Sequence, residues 1–101
     1  MQRLIEQPVD EGDVWEGPSR LGRVRYHLAV YQQFSMVEDE PVPASLDVEG
    51  QIMPQDPIEL AELHHRRAEL RLQLADGRSL EFTVADAAGV IRSTGRGLFQ
   101  Q

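Results

Sequence analysis

Alternation of apolar and polar residues marks several stretches of this chain as strands. From Gly22 to Phe34 one set holds Gly22, Val24, Tyr26, Leu28, Val30, Gln32 and Phe34; the other holds Arg23, Arg25, His27, Ala29, Tyr31 and Gln33. The first set is mainly apolar and is expected to face a core. Leu46 to Met53 alternates in the same way, with Leu46, Val48 and Ile52 inward and Asp47, Glu49 and Gln51 outward. Gly50 interrupts the inward row, as at a bend or bulge.

The clearest unit is a hairpin. Ala68, Leu70, Leu72 and Leu74 form one inward row, and Leu80, Phe82 and Val84 form another. Opposed residues must share a face. Leu72 should therefore oppose Leu80, Leu70 should oppose Phe82, and Arg71 should oppose Glu81. That parity demands an odd loop, Ala75-Asp76-Gly77, with Gly77 left-handed at a bulge. Asp86 to Gly89 then reads as a turn and Val90 to Arg92 as a short last strand.

Before the hairpin, Asp56 as N-cap, Pro57 at the first helical position and Glu59 three residues on predict a short helix ending near His64 or His65. The Pro-, Gly- and acid-rich stretch 7–19 reads as a loop or irregular arm, although a further strand near Arg3–Glu6 or Val14–Glu16 is allowed for. Residues 35–45 contain two prolines and three consecutive acids and read as a second loop. The tail over about residues 93–101, with Gly95 and Gly97, reads as loose, with Leu98 and Phe99 folding back.

The sum is a mostly β domain with a minor α component, spanning 1–101. The expected architecture is a small antiparallel β-barrel of 5–6 strands with one short helix, OB-like or SH3-like.

Composition narrows the partners. The formal net charge is −7, which disfavours non-specific binding to nucleic acid or to anionic membrane. Cys is absent, so disulfides and thiolate metal sites are excluded. No apolar run reaches the roughly 18 residues of a membrane span, and the first residues lack a signal-peptide apolar region. A soluble, cytoplasmic protein is the expectation. All ten basic residues are Arg.

Candidate chemistry is sparse. Arg20, Arg23 and Arg25, with Tyr31 farther along, could form a phosphate-contacting and base-stacking face. The competing reading pairs that stripe with Asp47 and Glu49 on the next strand. Trp15 reads as a cover over one end of the core or as an exposed binding anchor. His64 and His65 are weak metal candidates, because adjacent histidines diverge and no HExxH or HxH spacing occurs. The acids of the two loops read as solubilising. Arg92 to Gly97 is not a phosphate loop. No catalytic residue and no cofactor motif stand out. The expected function is therefore a small interaction module for another protein or a small ligand. The alternative is an OB-like binder of single-stranded nucleic acid.

Overall fold

The computed structural model describes residues 2–100. Seven strands and one helix follow one another: β1 (Gln2–Glu6), β2 (Val9–Glu16), β3 (Ser19–Val37), β4 (Glu40–Pro54), α1 (Leu60–His65), β5 (Leu70–Gln73), β6 (Arg78–Val84) and β7 (Val90–Gln100). The sheet is antiparallel throughout. Two three-stranded meanders, β2-β3-β4 and β5-β6-β7, join through β2–β5 and β4–β7 pairing, so six strands form a ring. β1 stands outside the ring on the edge of β3.

Most of the expected inward rows line the ring, but Gln32, Phe34 and Leu46 continue into the arm and are only half-buried, because the hairpin runs past the end of the core. Val24, Tyr26, Leu28, Val30, Val48, Ile52, Leu70, Leu72, Leu74, Leu80, Phe82 and Val84 are all buried, joined by Val14, Leu63, Ala68 and Ile91. The hairpin register matches the parity argument: Leu70 opposes Phe82, Arg71 opposes Glu81 and Leu72 opposes Leu80. The Leu74 amide donates to the Arg78 carbonyl at 2.8 Å and the Gly77 amide to the Leu74 carbonyl at 3.1 Å. Gly77 has φ +92°. This is a three-residue loop closed by a bulged glycine.

Three stretches read as loop or loose chain need correction. Residues Val9–Glu16, read as part of an irregular arm, form strand β2, paired on both sides. Residues 35–45, read as a loop, continue the β3–β4 hairpin through a two-residue turn in which Glu38 and Asp39 have φ 52° and 66°. Two such left-handed residues make the turn whose twist suits a hairpin. Pro41 and Pro43 pair with Met36 and Phe34. They are tolerated because their missing N–H groups face the open edge of β4. The tail is not a loose end: β7 runs from Val90 to Gln100, and Leu98 pairs with Leu80 and packs on the core. Of residues 95–97 and 100 only the backbone is described, and Met1 and Gln101 lie outside the described residues.

The helix begins later than its capping-box pattern predicts. Glu59 is its N-cap and makes no side-chain cap bond. Asp56 is drawn elsewhere: its Oδ2 accepts the Arg23 amide at 2.8 Å, fixing the chain to β3. The helix end is as expected. Arg67 is left-handed, with φ 51°, and the Ala68 amide donates back to the Leu63 carbonyl at 3.0 Å, a Schellman-type stop.

β3 and β4 are longer than the ring needs. Beyond Val30 and Val48 no residue of the hairpin is buried. Residues 31–37 and 40–47, with β1 alongside, project as a three-stranded arm, and the molecule measures 50 × 28 × 22 Å.

The packing yields a stability prediction. Leu72→Ala should cost about 2–5 kcal/mol, because it empties a fully buried site. Gly12→Ala should cost about 1–3 kcal/mol or more, since a Cβ there would lie 2.2 Å from the Gln73 carbonyl oxygen. Val42→Ala, on the exposed arm, should change stability by less than about 0.5 kcal/mol. Urea denaturation measures all three, and equal effects from Leu72 and Val42 would invert the assigned faces.

Candidate functional site

The arginine stripe forms as expected on the outer face of β3, but β2 neutralises it. Asp13 opposes Arg23 and Glu11 opposes Arg25 across the β2–β3 ladder. Arg20 donates to Asp13 Oδ1 at 2.8 Å and lies 3.8 Å from Asp56. Arg23 lies 3.7 Å from Asp13 and 3.8 Å from Glu11. Arg25 closes no ion pair among the described residues. The competing reading placed the acids on β4. There they do flank β3, but opposite Tyr31 and Ala29 rather than the arginines. Tyr31 is six residues beyond Arg25, about 20 Å along the strand, and belongs to the arm. The structure therefore does not bring Tyr31 together with Arg20 and Arg23.

Trp15 lies on β2, half-buried and outside the core cluster. It does not cover the end of the core. It pairs in register with Arg71 of β5, whose guanidinium sits 5.6 Å from the indole centroid. The two stack on the outer face. Trp15 Nε1 and Arg71 Nε are buried without a hydrogen-bond partner, as is Ser79 Oγ on β6.

His64 and His65 close the helix rather than converge. The His64 Nδ1 lies 3.0 Å from the Val84 carbonyl oxygen and, facing an acceptor, is assigned the proton. Among the described residues no three His, Cys, Asp or Glu side chains come together as a metal set. Among the described residues no helix is long and apolar enough to cross a membrane.

Two ion-pair centres were not visible in the sequence because their partners are distant along it. Arg66 of the helix end binds both carboxylate oxygens of Glu16 on β2, one at 2.7 Å. Arg78 donates to Glu6 at 2.9 and 2.6 Å and to Asp76 at 2.8 Å. It ties β1 to the β5–β6 turn.

What remains without partners is the arm. Its outer face carries Leu4, Tyr31 and Asp47 in one cross-strand row, then Ser35 with Val42 and Val37 with Glu40. Leu4, Val37 and Val42 are 42%, 53% and 41% exposed. The opposite face carries Phe34, Met36, Pro41 and Pro43, and Met36 is 63% exposed. A cleft of about 440 Å³ opens beside Gln2, Arg3, Phe34 and Pro41. Sequence reasoning placed Tyr31 on an exposed face but missed this surface, because 35–45 was read as a loop.

Comparison of the chain with protein families, with curated proteins and with solved structures finds no match.

The Arg78 centre makes stability depend on pH. Hydrogen bonds from Arg78 hold the Glu6 and Asp76 carboxyls below their ordinary range. Their stabilisation is present above the unfolded-state values, about 4, and is lost as pH falls through the depressed folded ones. The side chains are 41% and 50% exposed, so screening keeps the effect small. The thermal midpoint should fall by a few degrees between about pH 5 and pH 3. Arg78→Met should reduce that slope in circular-dichroism melts; an unchanged slope would remove Arg78 as its source.

Proposed function

We propose that this chain is a small protein-binding module that docks its partner on the three-stranded arm. The observation that carries the reading is the bare sheet itself. A sheet with apolar side chains is stable when another layer covers it, and contiguous exposed apolar surface marks interaction sites. Residues 35–37 and 40–45 are all exposed, while Leu46, at the root of the arm, packs against the core.

The ring is read as an OB-like barrel. The position of α1 between the third and fourth ring strands supports that, while a sixth strand departs from the usual five. The arginines on β3 face carboxylates of β2, which favours a protein partner over a polyanion.

Photo-crosslinking tests the docking site. A photoreactive residue at Val37 or Val42 should give discrete adducts to another polypeptide in the cells that express this protein. The same residue at Glu59, on the body, should give none. Adducts of twice the chain's mass would identify a second copy as the partner. Equal adducts from arm and body, or none from the arm, would refute the reading.

A further inference from the structure

Resting on that reading of the arm, we infer that its partner is an amphipathic helix with an apolar stripe flanked on one side by Arg or Lys. The outer face of the arm is three strands wide beside residues 31–33, about 10 Å between the outer strand axes, and continues two strands wide to Val37. That is the breadth of one α-helix, about 10 Å. Residues 31–37 run for about 20 Å, which matches about four helical turns. Leu4, Tyr31, Val37 and Val42 supply the apolar seat. A helix fills such a seat with residues at i, i+3, i+4 and i+7.

The charges fix the sign of the partner. Along the β4 side of the face stand Glu40, Asp47 and Glu49, all exposed. The β1 side presents the uncharged Gln2. None of the three carboxylates closes an ion pair among the described residues, and Asp47 has only the Ser93 hydroxyl at 3.5 Å. Arg92 neighbours Glu49 across β7 without closing a pair. On the body Glu6, Glu11, Asp13, Glu16, Asp56, Glu62 and Asp76 each lie within 4 Å of an arginine, while Asp10, Glu59, Glu69 and Asp86 close no ion pair among the described residues and border no such apolar face. The arm thus holds unspent negative charge on one flank of an apolar seat. A second copy fits this poorly, because its one described helix, α1, has six residues, about 9 Å, and does not span the seat.

The mode is helix on sheet rather than strand addition at β4. Pro41 and Pro43 remove two donors from the outer edge of β4, which blunts it against an incoming strand.

Two fluorescent helical peptides of about 18 residues, with one leucine stripe and either Arg or Glu on the flank, test the inference against the whole protein. Anisotropy titration should show the Arg peptide binding about tenfold tighter, the product of three exposed charge pairs. Raising salt should erode that preference. Glu40→Gln, Asp47→Asn and Glu49→Gln together should abolish it. Asp10→Asn, Glu59→Gln and Glu69→Gln, the same charge change on the body, should leave it intact. Val37→Ser with Val42→Ser should weaken binding of the Arg peptide. Equal binding of the two peptides, no binding, or a preference that survives the arm triple variant overturns the inference. If crosslinks still map to the arm, only the partner chemistry fails; if they do not, the docking reading itself fails.

Discussion

Two meanders can close into a ring only if their seams bring backbone against backbone. At the β2–β5 seam that contact is Gly12, where a Cβ would collide with the Gln73 carbonyl and press on the Tyr26 ring. Gly50 does the same between β3 and β4, with the His27 carbonyl oxygen 2.2 Å from its absent Cβ, at the point where β4 also pairs with Ile91 of β7. Any side chain at these positions would push the strands apart and open the core. Tyr26 completes the first seam: its hydroxyl accepts the Ala75 amide at 3.1 Å, and burial raises its pKa. Apart from Tyr26, the hydrophobic core cluster is aliphatic or Phe82, and Ser79 is the one buried polar residue among the described ones.

Closure also explains why an arm exists. The ring uses β3 from about Arg20 to Val30 and β4 from Val48 to Pro54, and the remaining hairpin has no second layer to meet. β1 widens it to three strands, and Arg78 fastens the end of β1 to the body through Glu6. At its root β4 carries one extra residue opposite Gln33, and the Gln32 side chain satisfies the Ser45 carbonyl at 3.2 Å. Such a bulge sharpens twist, turning the arm's faces relative to the ring.

The inward rows and the β5–β6 register were legible because strand periodicity and turn parity are local properties. The same locality hid β2. Its outward row, Glu11 and Asp13, reads as a loop in isolation and becomes a strand face only beside Arg25 and Arg23. Glu38-Asp39 carries no glycine signal, so its left-handed turn was invisible, and the prolines beside it looked like strand breakers until the open edge of β4 was known. Asp56 failed as a helix cap for a related reason: the Arg23 amide, 33 residues away, competes for its carboxylate. For the site, the sequence located Tyr31 on a solvent face. It could not say that Leu4 and Val42 would join it there, since Leu4 depends on pairing 27 residues away and Val42 on a turn that carries no glycine signal.

The acids of the arm have a competing explanation as solubilising charge. That role predicts charge at the open edges, where strand-to-strand aggregation begins. Glu40 and Asp47 do lie on the open edge strand, but that edge is already blunted by Pro41 and Pro43, and together with Glu49 they share the face that carries Tyr31 and Val37. Solubility alone also gives no reason for one flank to be acidic and the other neutral. An exposed carboxylate costs nothing in water and gains little from a partner while water reaches it. Beside an apolar seat that a helix covers, the same carboxylate is partly desolvated and its preference for a cation strengthens. The arrangement is therefore stable when bare and selective when covered, which is what a reversible docking face requires.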